Sequence, residues 1–273
     1  RLYTPLQAES WRGVTDAVHR AGSPIFAQLL HCGRISHEDF TDGLQLVSAT
    51  DRPAEGICRR NGKPYASPRR LMSNEMSSMY GQFVEAATRA RSVGFDGVEI
   101  HLAHGYLADQ FLDARVNDRT DDYGGSVANR CRFALELTES VLAACGPERL
   151  MVRISPSRWM DGLYEWPDLQ EMLEYLVPAF GSLGLRMLDV SCANADYHLT
   201  SGKVVRTVRP LWPHLLIAGA SLDACAAQHE LDAGLLDAVT YGRLLIANPD
   251  LVERMRDGRP LDPYMKEMLS HLE

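Results

Sequence analysis

One rhythm governs most of this sequence: a stretch with apolar residues at helical spacing, a glycine, then a short run that is almost wholly apolar. Leu6 to Ala21 carries Leu6, Trp11, Val14 and Val18, stops at Gly22, and is followed by the run Pro24 to Leu30. Asn74 to Val93 carries Met76, Met79, Tyr80, Phe83, Ala87 and Ala90, stops at Gly94, and leads into Gly97 to His101. Asn129 to Ala144, with Phe133, Leu137 and Val141, leads past Gly146 into Leu150 to Ile154. Trp166 to Leu183, with Leu169, Leu173, Leu176 and Phe180, leads past Gly184 into Met187 to Ser191. Two shorter units end in His214 to Ala218 and Ala238 to Tyr241, and Leu251 to Met255 predicts a last short helix. A helical period closed by glycine predicts a helix, and an apolar run between turn signals predicts a buried strand.

Nearly all-apolar strands alternating with helices require a parallel sheet covered on its faces. No strand is followed by G-x-G-x-x-G, so a doubly wound dinucleotide-binding sheet lacks its fingerprint and an α/β barrel is expected. Its 273 residues suit a single barrel, and nothing resembling a linker or an internal repeat divides the chain. In a barrel the C-terminal strand ends gather on one face. Here those ends are polar: Gln28, His101 with His104, Arg153, Ser191 with Asn194, Gly219, and Gly242 with Arg243. The stretch Ile35 to Met72, rich in Gly, Pro, Asp and Arg, is expected to be a loop over that face.

Composition narrows the partners. A net charge of −8 with no block of like charge argues against nucleic acid. Apolar runs such as Leu215 to Ala220 fall far short of the roughly 20 residues of a membrane span. The six cysteines form no C-x-x-C pair, the usage of reduced thiols in a cytoplasmic protein, so neither disulfides nor a structural zinc site built on cysteines is expected. A homo-oligomer is compatible with all of this. The chain opens Arg1-Leu2-Tyr3-Thr4-Pro5, without an initiator Met, and is expected not to begin at the start of its gene.

The densest chemical cluster is His101-Leu-Ala-His104-Gly-Tyr106. Two imidazoles just past a strand end could both donate to one carbonyl oxygen, with a tyrosine two residues on to deliver a proton. The competing readings are a zinc-ligating His-x-x-His pair, or one structural and one exposed histidine. Arg153 is a charge inside an apolar strand and needs an anion, an electron-rich atom or a carboxylate such as Glu99 or Asp189. Gly219, Gly242 and Arg243 could cradle a phosphate or be plain turn residues.

Four segments carry a family resemblance: Phe26 to His37, His101 to Leu112, Asn117 to Ser126 with Asn129 and Arg130, and Tyr241 to Arg243 with Asn248 to Asp250. From Leu6 to about Pro260 the chain resembles the old yellow enzyme family of FMN-dependent ene-reductases. The resemblance implies a (β/α)8 TIM barrel of the FMN-linked oxidoreductase type, a single FMN-binding domain over residues 1–273, FMN as cofactor and NAD(P)H as reductant. It implies Gln28 at the flavin's pyrimidine edge, Arg153 near its N1 and O2, and Gly219, Ala220, Gly242 and Arg243 at its phosphate. His101 and His104, a pair whose second member is Asn or His in the family, would hold the oxygen of an enone or enal, and Tyr106 would protonate its α-carbon. The expected activity is reduction of an activated C=C bond by ping-pong hydride transfer from flavin N5. The first helix aligns with the family's second barrel helix, so the first two strands, about 80 residues, are expected to lie outside this chain. Where many members have two glycines after the seventh strand, this chain has Gly219-Ala220-Ser221. The competing expectations are a catalytically silent barrel remnant or interaction protein without flavin, and a metal-dependent hydrolase using His101 and His104.

Overall fold

The computed structural model describes residues 2–159, 162–192 and 195–271. Asn194, expected at a strand end, lies outside the described residues. All six anticipated strands form one sheet: β1 (Phe26–Leu29), β2 (Gly97–Leu102), β3 (Leu150–Ile154), β4 (Met187–Asp189), β5 (Leu215–Ala218) and β6 (Ala238–Val239). They lie side by side in chain order, every neighbouring pair parallel. That succession is the wall of an α/β barrel. Among the described residues the edge strands β1 and β6 have no further partner, so the wall does not close.

Helices cover the outer face. Ten are described: α1 (Pro5–Glu9), α2 (Arg12–Arg20), α3 (Met76–Ser92), α4 (Leu107–Leu112), α5 (Val127–Cys145), α6 (Leu169–Leu183), α7 (Ser201–Val208), α8 (Ala224–Asp232), α9 (Arg243–Ala247) and α10 (Leu251–Asp257). α3 buries the stripe Met76, Met79, Tyr80, Phe83, Ala87 and Ala90 that its period announces. α5 starts where the Ser126 hydroxyl accepts from Asn129 N–H. α6 ends on Gly184 in the left-handed region, φ 98°. The single helix expected over Leu6 to Ala21 is broken: the Ser10 hydroxyl donates to Gln7 carbonyl at 2.7 Å, offering the backbone an alternative to the helix ladder. Leu6, Trp11 and Val14, expected on the buried stripe, are exposed where these helices flank edge strand β1. None of the helices among the described residues is long and apolar enough to cross a membrane.

Strand alternation divides the residues between two environments. Val98, Ile100, Leu102, Val152, Ile154, Leu188, Leu216 and Ala218 face the helices and are fully buried. Each of the Val, Ile and Leu side chains contributes about 1.5–3 kcal/mol by leaving water, and the Ala218 methyl less. Their alternates, Gln28, Glu99, His101, Arg153, Asp189 and Ile217, line the lumen. Residues 35–72 form an irregular arch, as expected, with only a 3-10 turn (Glu38–Phe40) and two-residue ladders.

Candidate active site at the carboxyl ends of the strands

His101 is the lumen-facing residue near the end of β2 and is 6% exposed. His104 follows in the turn, its Nδ1 3.2 Å from His101 Nε2 and the two rings stacked at 5.1 Å between centroids. Tyr106, the N-cap residue of α4, lies 5.5 Å from the His101 ring. All three side chains of the cluster therefore converge. Burial and the Arg153 charge hold both imidazoles down to about 3, so each is a neutral ring near pH 7. Burial, with Cys32 and Tyr65 nearby, pushes the Tyr106 phenol up, keeping its proton. The two rings are bonded to each other, so donating both N–H groups to one oxygen requires that bond to open. His101 Nδ1 is buried without a hydrogen-bond partner.

A second layer fixes this turn. His104 has φ 57°, in the left-handed region, which among side-chain-bearing residues Asn, Asp and His tolerate best. Its N–H donates to Ser155 Oγ at 2.8 Å, and the next N–H, of Gly105, donates to Asp109 Oδ2 at 2.6 Å. Asp109 is fully buried, accepts from Trp166 Nε1 at 3.0 Å and pairs with Arg158 at 2.8 Å. Gln110 ties three segments: its Nε2 donates to Gly105 O at 2.7 Å and Cys32 O at 3.3 Å. Its Oε1 accepts from Arg34 N–H at 3.2 Å and Ser48 Oγ at 2.9 Å. Gly33, φ 59°, lets the Cys32–Arg34 turn close onto that amide, where a Cβ would collide.

The motif Asn117 to Ser126 is scaffolding. Asn117 Nδ2 donates to Phe111 O and Tyr123 O, both at 2.7 Å, and Arg119 Nη1 donates to Leu71 O at 2.8 Å, fastening the end of the arch. Arg130 donates to Leu112 O at 3.1 Å and pairs with Asp168.

Level with His101, and one side-chain step further into the lumen, lie polar groups only half legible from sequence. Register sets Gln28 beside Glu99, and His101, Arg153 and Asp189 in one row. Gln28 Nε2 donates to Glu99, and Arg153 donates through Nε (3.2 Å) and Nη2 (3.1 Å) to Ser191 O. The carboxylate alternative considered for Arg153 is present too, with Asp189 Oδ2 at 3.6 Å. Burial and the neighbouring Asp189 push Glu99 up to about 7. Sequence reasoning gave Glu99 no role beyond a possible salt bridge, although its place two residues before His101 on one strand was the available signal.

At the far side of the sheet the expected phosphate residues adjoin through register, Thr240 N–H donating to Ala218 O at 3.0 Å. Gly219 and Ala220 are buried, and a Cβ on Gly219 would strike Thr240, so close strand packing alone requires this glycine. Gly242 precedes α9 with open space around it, and the exposed Arg243 guanidinium lies 5.9 Å from the Tyr264 ring. Among the described residues no group of three or more His, Cys, Asp or Glu could hold a metal ion.

Comparison with known proteins gives this geometry a context. The chain is 37% identical to 12-oxophytodienoate reductase 7 of Oryza sativa subsp. japonica, over 97% of this chain and 73% of that protein. Its fold matches the old yellow enzyme homologue from Zymomonas mobilis with a TM-score of 0.89 at 33% identity, covering 98% of this chain and 76% of that one. It also matches morphinone reductase in complex with tetrahydroNAD, with a TM-score of 0.86 at 35% identity, covering 98% and 75%. Residues 1–262 match the NADH:flavin oxidoreductase / NADH oxidase family, and with old yellow enzyme relatives along nearly its whole length the chain belongs to that family.

Proposed function

We propose that this chain is an FMN-dependent ene-reductase that uses NAD(P)H to reduce the activated C=C bond of enones and enals. Old yellow enzyme family members use FMN and NAD(P)H. The lumen suits the polar edge of FMN: Gln28 Oε1 is an acceptor and Arg153 Nη1 a donor, neither with a hydrogen-bond partner among the described residues. Gly219, Ala220, Gly242 and Arg243 would hold the phosphate end. Bound FMN would supply the hydride. The observation that carries the reading is the convergence of two neutral imidazoles and one protonated phenol beside Arg153, the strand partner of His101.

The chemistry asked of these side chains is modest. A neutral N–H from His101 or His104 polarises the substrate carbonyl, and it steadies the negative charge that gathers on that oxygen as hydride arrives at the β-carbon. Tyr106 then gives its proton to the α-carbon. Its raised pKa keeps that proton in place at neutral pH.

The test is a visible spectrum of the purified chain followed by anaerobic half-reactions. A flavin spectrum, bleaching by NAD(P)H and recovery on adding an enone are expected. Tyr106→Phe should keep bleaching, lose on the order of a hundredfold in enone reduction, and keep most nitroalkene reduction, whose nitronate leaves unprotonated. A chain unable to bind FMN, or equal losses for both substrates, overturns the reading.

A further inference from the structure

The mechanism above uses the His104 turn but leaves one buried charge beside it without a task. Arg158 lies in the hairpin of Ser157–Trp159 and Leu163–Glu165, and its side chain is 4% exposed. Withdrawing a guanidinium from water is costly unless its bonds are well placed. Here the planar fork has two engaged ends. Nη2 lies 2.8 Å from Asp109 Oδ2, and Nη1 donates to the Ser155 carbonyl at 3.0 Å. Its flat face rests on the Tyr164 ring, 4.6 Å from the centroid, and the Tyr164 hydroxyl donates to Asp113. The fork is therefore fixed both in its plane and in its direction.

Both ends lead to one place. His104 and Gly105 have left-handed backbone, φ 57° and 77°, and such residues in succession persist where their surroundings over-determine them. The His104 N–H donates to Ser155 Oγ at 2.8 Å, and the Gly105 N–H donates to Asp109 Oδ2 at 2.6 Å. The acceptors of these two consecutive amides thus belong to the two residues that Arg158 joins. We infer that Arg158 is a positioning residue for the reaction: by locking Ser155 and Asp109 at one spacing it sets the left-handed turn, and with it the direction in which the His104 imidazole meets the substrate oxygen. This rests on the ene-reductase reading above. Burial pushes the Asp109 carboxyl up and Arg158 opposes that, favouring the ionised acceptor that Gly105 N–H and Trp166 Nε1 need. A catalytic donor misplaced by about 1 Å can cost on the order of a hundredfold in rate, so the spacing matters to chemistry and not only to folding.

The test compares Arg158→Lys with the native protein, both loaded with FMN. Lysine keeps the charge but replaces a planar fork by a point charge, which cannot hold both acceptors in one plane. The saturated rate of enone reduction, normalised to bound flavin, should fall on the order of tenfold. The half-saturating enone concentration and the FMN affinity should change less than about threefold. In amide-resolved NMR spectra the His104 and Gly105 N–H signals should shift and exchange faster. A residue that only supports folding would lower the unfolding midpoint and leave the rate per flavin and both amide signals at their native values, and that result overturns the inference. A rate loss with unmoved amide signals overturns it as well. Should Arg158→Lys fail to fold, the double variant Arg158→Met with Asp109→Asn removes both buried charges together and takes its place, with the same losses expected. A native chain that binds no FMN or reduces no enone would instead sink the ene-reductase reading, and the two amide signals, read in the FMN-free chain, would still decide whether Arg158 sets the turn.

Discussion

The two ends of the strand-end face are built by opposite means. At β2 and β3 the site is made of side chains, each held by others: the His104 turn by Ser155 and Asp109, and Asp109 by Trp166 and Arg158. At β5 and β6 it is made of main chain, with Gly242 in open space and Arg243 exposed. A side-chain site is rigid before ligand arrives, whereas a main-chain surface with one exposed cation, if it takes the phosphate as proposed, would gain its order from the ligand. Substitutions at the first should damage chemistry and folding, and substitutions at the second should damage affinity.

The sharpest break would come at the first end. His101→Ala should lose on the order of a hundredfold in enone reduction, followed by stopped-flow absorbance, while FMN affinity changes less than about threefold. An affinity loss matching the rate loss would erase the distinction between the two ends. Next in size, Gln110→Ala strips four hydrogen bonds from a buried amide joining three segments, and should cost about 2–3 kcal/mol in urea unfolding. At the other end Arg243→Met should weaken FMN about tenfold but leave riboflavin, which lacks the phosphate, unchanged.

The smallest effect concerns acid. Folding holds His31 down to about 4 and His101 and His104 down to about 3, below the ordinary 6.5. The unfolded chain therefore binds protons that the folded chain refuses, and these residues' stabilising share, complete above about 6.5, is lost as pH falls through the folded values. Glu99 acts in reverse, its share complete below 4.5 and lost as pH rises through about 7. His101→Asn should therefore flatten the melting temperature against pH by a few degrees between pH 6.5 and 4, as calorimetry can check.

These contrasts also explain what could be read in advance. All six sheet strands were legible, because parallel strands buried on one face by helices must be apolar and bounded by turns. The convergence of His101, His104 and Tyr106 was legible because a short turn leaves three close residues few directions to face. The break at Ser10 was not, since a single hydroxyl competing for Gln7 carbonyl leaves no trace in the apolar period. Nor was the layer of Glu99 and Asp189, which depends on a cross-strand register that no one segment contains. The roles of Arg119 and Asn117 were hidden for another reason: a highly specific motif invites a chemical reading, and here its bonds go to backbone carbonyls of the scaffold.

The left-handed backbone at His104 bears on how this protein could be re-engineered. A randomised library at that codon would be filtered first by torsion angle and only then by chemistry. β-branched and bulky aliphatic replacements would be discarded before meeting a substrate, leaving Asn, Asp, Gly and the native residue as the practical alphabet. A search for new substrate scope therefore has more room in the arch over the site, at positions such as Tyr65, than in the turn that holds the imidazoles.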